Sequence, residues 1–373
     1  MEEYHYLLDL ALILFTTKLF GLISQKFKMP QVVGALLAGL ILGPAVLNIV
    51  QKSNFITTTS EIGVIILMFC AGLETDVKEL KKCGKASFVI ALLGVIVPLL
   101  GGFGVAYFFN QPGIIDSGAT CNVFLQNVFI GVILTATSVS ITVETLKELG
   151  RLKSESGNAI LGAAIIDDIL GIIALTVITS LADSSVNVWI VLLKILGFFA
   201  MVIVAGFAFY KLYVWWANRS KHLRHRHAII CFVFCLGMSY AAEALFGVAD
   251  ITGAFFAGLI ISLTQSSEYL AKKFDVLSYL LLSPIFFASI GLNVVLPSMS
   301  VQIIVFAVVI TIVAIITKII GCGLGAKICG YKNYQCKRIG IGMISRGEVA
   351  LIVANKGASM GLLGSVMLGP IVI

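Results

Sequence analysis

Apolar runs long enough to cross a bilayer follow one another along almost the entire chain, and this succession constrains the fold more than any other feature. A membrane-spanning helix needs about 17 to 25 predominantly apolar residues, and short polar segments separate the runs here. Only 12% of the 373 residues are charged, whereas a soluble domain carries about 25%. The sequence therefore predicts an all-α integral membrane protein and excludes a soluble globule.

Thirteen runs are candidates for transmembrane helices. They cover residues 4–24, 30–49, 61–77, 86–109, 122–146, 156–181, 187–217, 227–246, 249–265, 276–294, 299–326, 338–356 and 362–373. The last run stops at Ile373 and is too short to span, so we expect the thirteenth helix to be incomplete. The first run follows Glu2 and Glu3 rather than basic residues, which predicts a helix that is retained rather than a cleaved signal.

Lysine and arginine residues collect in every second loop between the predicted spans. Nineteen of the 26 lie in those loops, whereas the opposite loops hold only Lys52 and Lys356. Basic loops remain in the cytoplasm, so the pattern predicts an outside N-terminus, in a protein that we expect in the plasma membrane. The net charge of +7 then follows from topology. We expect membrane lipid around the protein and no binding of nucleic acid.

An internal repeat organises the spans. Residues 33–41 (VGALLAGLI) and 252–260 (TGAFFAGLI) share six residues at an offset of 219, and the same offset aligns Gly72 with Gly291. The repeat starts lie seven spans apart, an odd number, so equivalent helices run in opposite directions. We predict a single transmembrane domain over residues 1–373, with inverted repeats at 1–181 and 227–373 and a linker helix within 182–217. Such repeats are typical of alternating-access transporters.

Two spans carry polar residues at mid-depth. The fifth contains LTATSVSIT at 134–142 and the twelfth contains GIGMISRGEV at 340–349. Unwound backbone at this depth is tolerated only where protein buries it or where it lines a wet cavity. We predict two discontinuous helices, fifth in each half. The alternative is a pair of continuous helices whose Ser and Thr side chains bond to their own carbonyls; Arg346 and Glu348 disfavour it for the twelfth span.

Five ionisable residues lie deep in the predicted spans: Asp167, Asp168, Lys318, Arg346 and Glu348. Neighbouring residues on a helix point about 100° apart, so Asp167 and Asp168 cannot face one cavity equally. An unpaired charge in the membrane costs several kcal/mol, which leads us to pair Lys318 with Asp167. The alternatives are a static ion-pair network that locks helices, and a Lys318 side chain that extends to the cytoplasmic interface.

Asp168 is then the residue left to bind a transported ion. A carboxylate in a narrow, partly dehydrated cavity can hold a proton or a hard monovalent cation, and this competition suffices for antiport. We predict Na⁺ at Asp168, with hydroxyl ligands from Thr135, Thr137 and Ser138. Arg346 and Glu348 are interpreted as supports of the broken helix. The scattered cysteines suggest no disulfide framework, and we expect no resident metal and no cofactor.

Four segments together resemble the monovalent cation:proton antiporter superfamily, most closely its NapA-like and Kef-like branch. These segments are AIIDD at 164–168, TATSVS at 135–140, PIFFASIGL at 284–292 and SRGEV at 345–349. The resemblance implies thirteen helices in a dimerisation domain and a mobile core domain, and an elevator-like motion in a homodimer. It also implies that Asp168 carries the ion while Asp167 pairs with Lys318.

The function we expect is exchange of Na⁺ for H⁺ by a secondary active antiporter, which is a transporter and not an enzyme. Potassium/proton antiport of the Kef type and sodium-coupled symport of an organic solute on the same fold are the alternatives. A channel would need a filter sequence, which we do not find. An intramembrane aspartyl protease would place its two acids on separate helices, and here they are adjacent.

Overall fold

Helices account for the regular structure of the part of the chain that the computed structural model describes, namely residues 5–111, 114–115, 119, 121–182, 188–219, 224–294, 300–364 and 367. The all-α membrane fold predicted from the sequence is confirmed. The α-helices are α1 (His5–Lys26), α2 (Gln31–Leu42), α3 (Asn54–Glu74), α4 (Val77–Phe109), α5 (Val123–Ile133), α6 (Val139–Glu148), α7 (Glu155–Ala182), α8 (Val188–Arg219), α9 (Arg224–Tyr240), α10 (Asp250–Ser262), α11 (Ser267–Leu277), α12 (Ser283–Leu292), α13 (Val301–Ile328), α14 (Asn333–Gly342) and α15 (Glu348–Ser359). Two π-helical segments, Ala241–Leu245 and Ser278–Leu282, follow α9 and α11.

Eight helices of the described chain are long and apolar enough to cross a bilayer. They match the first, third, fourth, sixth, seventh, eighth, tenth and eleventh predicted spans. The second, fifth, ninth and twelfth spans contain shorter apolar helices, Gln31–Leu42, Val123–Ile133, Asp250–Ser262 and Val349–Ala358. Most of the thirteenth predicted span, 362–373, lies outside the described residues.

Both predicted interruptions are present, and both are short. Residues 134–138 separate α5 from α6, and residues 343–347 separate α14 from α15. The prediction of two discontinuous helices is therefore confirmed, and the continuous alternative is wrong.

Some helix boundaries differ from those predicted by hydropathy. Helix α4 begins at Val77 rather than at residue 86, because the lysines at 78–85 are good helix formers and continue the helix beyond the apolar run. Helix α2 ends at Leu42 rather than at residue 49, and Gly43 and Pro44 follow. Proline cannot continue a helix, and apolarity alone did not reveal this end.

The helices pack into two compact units. The first contains residues 1–80, 143–153 and 190–293, and the second contains residues 81–142, 154–189 and 294–373. Each unit thus takes segments from both halves of the predicted repeat. Ile13, Ile56 and Ile285 lie in the core of the first unit, and Phe129 and Phe306 lie in the core of the second.

Glycine contacts inside the first unit follow the sequence repeat. A Cβ atom at Gly39 of α2 would collide with the Ala288 carbonyl of α12, and one at Gly258 of α10 would collide with the Phe69 carbonyl of α3. Residues 258 and 288 equal 39 and 69 plus 219, so one contact is the image of the other. The contacts of Gly291 with Leu36 and of Gly72 with Phe255 are related in the same way. When a two-fold axis relates two repeats, each contact between them occurs twice, with the equivalent residues of the two repeats exchanged.

Candidate cation site

The two helix interruptions are joined to each other by hydrogen bonds within the second unit. The Ser138 amide donates to the Ser345 carbonyl at 3.0 Å, and the Ser345 hydroxyl donates to the Ser138 carbonyl at 2.9 Å. The Thr142 hydroxyl lies 2.6 Å from the Ser345 hydroxyl. These bonds satisfy backbone groups that the broken helices leave without helical partners, which makes unwound chain tolerable inside the protein.

Arg346 binds the first interruption from the second. Its guanidinium donates to the main-chain carbonyls of Leu134 and Ala136. These carbonyls lie just beyond the end of α5, where unpaired carbonyls give the helix terminus a partial negative charge. A planar cation with several donors can therefore bind two carbonyls at once and stabilise the break.

Lys318 approaches the same interruption from α13. Its Nζ atom lies 2.7 Å from the Thr135 carbonyl oxygen and 2.9 Å from the Gly94 carbonyl oxygen of α4. It also lies 3.0 Å and 3.2 Å from the two carboxylate oxygens of Asp167 on α7. The Lys318 side chain is completely buried, so it does not extend to the interface. The pairing of Lys318 with Asp167 in the sequence analysis agrees with this geometry.

The two aspartates are both buried in α7. Asp167 is 2% exposed and Asp168 is 8% exposed. The described side chains around the two breaks include two acids, Asp167 and Asp168, and two bases, Lys318 and Arg346. When all four are ionised, their formal charges sum to zero. With Asp167 bound to Lys318, a proton or a monovalent cation at Asp168 would add one positive charge to the site. The two bound states would then carry equal charge.

The three predicted hydroxyl ligands lie in or beside the first interruption and are buried. The Thr135 hydroxyl donates to the Val132 carbonyl at 2.7 Å, and the Thr137 hydroxyl donates to the Met343 carbonyl at 3.5 Å. The Ser138 hydroxyl accepts from the Ile141 amide at 3.3 Å, at the start of α6. The role of these hydroxyls as ligands of a cation stays a prediction.

Glu348 is the first residue of α15. Its side chain lies outside the described part of the structure, so its predicted supporting role stays a prediction.

Sequence reasoning missed a cluster of charges in the first unit. The Lys147 ammonium pairs with Glu74, 3.2 Å away, and with Asp275. In the same unit, the Nζ atom of Lys18 in α1 lies 3.6 Å from the centre of the Tyr279 ring. These partners are far apart in the chain, and a sequence pattern with a short period does not reveal such pairs.

The acceptor role of Gly94 was also missed. Its contribution to the site is a main-chain carbonyl, and every residue has one. A signal was present nonetheless, because Pro98 lies four residues later inside the apolar run.

Comparisons with known proteins agree on one group. A family model described as "Sodium/hydrogen exchanger, transmembrane" matches residues 11–373. The Na⁺/H⁺-K⁺ antiporter GerN of Bacillus cereus is 41% identical over 366 residues, which cover 97% of this chain and 90% of that protein. The Na⁺/H⁺ antiporter of Enterococcus hirae is 38% identical over 374 residues, with 98% and 92% covered.

One solved structure extends the comparison to the fold. The sodium proton antiporter MjNhaP1 of Methanocaldococcus jannaschii, determined at pH 8, has a TM-score of 0.69 with this chain at 19% identity. The similarity covers 100% of this chain and 94% of the other. At this low identity, the shared property is the arrangement of the helices.

Proposed function

Because this chain belongs to the sodium/hydrogen exchanger family, we propose that it is a secondary active antiporter that exchanges Na⁺ for H⁺ by alternating access, with Asp168 as the residue that carries either ion. The observation that carries the proposal is the buried Asp168 beside an Asp167 carboxylate already paired with Lys318. The names of two relatives, from Bacillus cereus and Enterococcus hirae, support Na⁺ as the exchanged cation.

Competition at Asp168 is the proposed mechanism. A buried carboxylate binds a proton or a metal cation but not both, because both need its negative charge. Loading one ion therefore releases the other. Coupling also requires that the site seldom reorients when Asp168 is ionised and empty. A bare carboxylate is costly to move through a low-dielectric barrier, which disfavours that uncoupled step.

Oxygen ligands for the cation come in this proposal from Asp168 and from the hydroxyls of Thr135, Thr137 and Ser138. Hard monovalent cations bind carboxylate, hydroxyl and carbonyl oxygens. The donor set fits a Na⁺ ion that has lost part of its hydration. Arg346 and Lys318 occupy the carbonyls of Leu134, Thr135 and Ala136 and hold the interrupted segment in place.

The proposed setting is a homodimer in the plasma membrane with the N-terminus outside. The alternation of basic loops supports this orientation. The family resemblance implies a mobile core domain and a dimerisation domain. The second unit contains every proposed site residue, so it corresponds to the core domain in this proposal.

Potassium is the second candidate cation. One specific observation favours it, since the name of the relative GerN includes K⁺ beside Na⁺. Selectivity depends on cavity size and oxygen number, so an Asp168 site of the same type can accept K⁺ if it holds more or longer oxygen contacts.

Transport in proteoliposomes tests the proposal. The full chain is reconstituted with a pH-sensitive dye inside, a pH gradient is imposed, and Na⁺, Li⁺ or K⁺ is added outside. We expect Na⁺ to dissipate the gradient, and a response to K⁺ would add the second cation. Repeating the assay with a clamped membrane potential measures whether exchange moves net charge. Correctly inserted protein that responds to none of the three cations would refute antiport of monovalent cations.

A further inference from the structure

Pro98 lies inside α4, and it changes the hydrogen bonding of the residue one turn before it. The helix runs over Val77–Phe109, and Pro98 is buried in its interior. Proline has no amide hydrogen, so the carbonyl of Gly94, four residues earlier, loses its usual helical donor. The proline ring also pushes that carbonyl away from the helix axis. A buried carbonyl without a donor is costly, so Gly94 needs another partner.

The Lys318 ammonium supplies that partner. Its Nζ atom lies 2.9 Å from the Gly94 carbonyl oxygen. An ammonium has three hydrogens, and Lys318 directs its bonds at three groups: Gly94, Thr135 and the Asp167 carboxylate. The carbonyl that Pro98 leaves without an amide donor thus completes the coordination of a fully buried cation.

Close packing of α4 against α13 brings this carbonyl within reach. A Cβ atom at Gly94 would lie 2.6 Å from the Cys322 sulfur, and one at Gly321 would lie 2.5 Å from the Leu93 carbonyl oxygen. Real Cβ atoms essentially never come that close. Glycine at 94 and 321 therefore permits the separation of the two helices that the hydrogen bond to Lys318 requires.

We propose that Pro98 and Gly94 are positioning residues for the Lys318–Asp167 pair, because Pro98 withholds an amide donor from the Gly94 carbonyl and so reserves that carbonyl for the Lys318 ammonium. This role concerns the geometry of the buried pair. Only its relevance to transport rests on the proposed function, in which Lys318 must be held in place near the ion-carrying Asp168.

A double-mutant cycle tests the coupling between Pro98 and Lys318. Pro98→Ala restores an amide hydrogen at position 98, and it is introduced into the wild-type chain and into the Asp167→Asn/Lys318→Met chain, where neither charge remains. Melting midpoints of the purified full-length proteins are compared. We expect the change in midpoint on Pro98→Ala to be about 3 °C less favourable in the wild-type chain than in the neutral chain, since only the wild-type chain loses part of a bond to a charged donor.

The control is Ile96→Ala, a truncation on the exposed side of the same helix turn, which is expected to shift both backgrounds equally. Equal effects of Pro98→Ala in the two backgrounds would mean that Pro98 only bends the helix, and would overturn the proposal. Because the readout is stability, an inactive transporter would leave this test valid, and the two proposals can fail separately.

A second comparison tests the role of Gly94 and does not need the neutral chain to fold. Gly94→Ala places a methyl group against the Cys322 sulfur, and Cys322→Ala in the same chain removes that sulfur. We expect Gly94→Ala to lower the melting midpoint and the double variant to recover at least half of the loss. A double variant no more stable than Gly94→Ala alone would contradict the proposal that Gly94 permits the close packing of α4 against α13.

Discussion

The Lys318 ammonium lies 2.7 Å from the main-chain oxygen of Thr135, inside the segment that separates α5 from α6. One residue to either side, the carbonyls of Leu134 and Ala136 accept hydrogen bonds from Arg346. Three consecutive carbonyls at the break are thus bound by two buried or half-buried cations. The same Lys318 pairs with Asp167, so the interrupted helix and the aspartate pair form one connected structure.

Removing the Lys318 charge alone should destabilise the protein strongly. Lys318→Met leaves the Asp167 carboxylate buried without its cation, which costs about 3 to 5 kcal/mol. Asp167→Asn/Lys318→Met removes both charges, and we expect it to recover most of that loss. Thermal melting of the purified proteins in detergent measures both. A double variant as unstable as Lys318→Met would show that the buried charge of Asp167 is not the cause.

Arg346→Lys should recover only part of what Arg346→Gln loses. The guanidinium has a planar set of donors that binds two carbonyls together, whereas an ammonium is a compact point charge. We expect Arg346→Gln to lower stability by about 2 kcal/mol, in the range for hydrogen bonds to a charged group. Melting midpoints rank the three proteins. Full recovery in Arg346→Lys would argue that charge matters here and the two-carbonyl geometry does not.

Ser345→Ala should weaken the connection between the two interruptions. The hydroxyl donates to the Ser138 carbonyl and lies within hydrogen-bonding distance of the Thr142 hydroxyl. The substitution removes these two hydrogen bonds, each worth about 0.5 to 1.5 kcal/mol. Ser180→Ala is the matched control, since the Ser180 hydroxyl bonds only to Val177 in its own helix among the bonds described. Equal losses in the two variants would count against a special role for Ser345.

Lys147→Gln should have a moderate effect on stability. The residue pairs with Glu74 and Asp275 in the first unit, and all three side chains are partly exposed to solvent. Solvent screening limits such pairs, so we expect a loss of about 1 kcal/mol. Lys272→Gln, whose partner Glu268 is highly exposed, should have no measurable effect. The melting midpoints of the two variants, measured side by side at low and high salt, check this ranking.

The positions of the helix breaks were predictable from the sequence. Polar residues at 134–142 and 340–349 interrupt apolar runs at mid-depth, and charge or hydroxyl groups there need protein partners. The partner of Lys318 was also predictable, because few intramembrane carboxylates were available to balance it. Both inferences depend on the high cost of polar groups in a bilayer.

The remaining features depend on packing, which a single sequence does not encode in a short pattern. The two units combine segments from opposite ends of the chain. The contacts of Lys318 with Gly94 and Thr135 involve carbonyls, which have no residue-specific signature. In the Lys147 cluster, Glu74 precedes Lys147 by 73 positions (147 − 74) and Asp275 follows it by 128 (275 − 147).

The central claim is that Asp168 carries the exchanged ion, and Asp168→Asn tests it most directly. The variant and the wild-type chain are reconstituted at equal protein content, and the collapse of an imposed pH gradient is recorded after addition of Na⁺. Melting midpoints confirm that both proteins are folded. We predict rapid collapse with the wild-type chain and, with Asp168→Asn, no more than protein-free liposomes show. Collapse at the wild-type rate with folded Asp168→Asn would contradict the account.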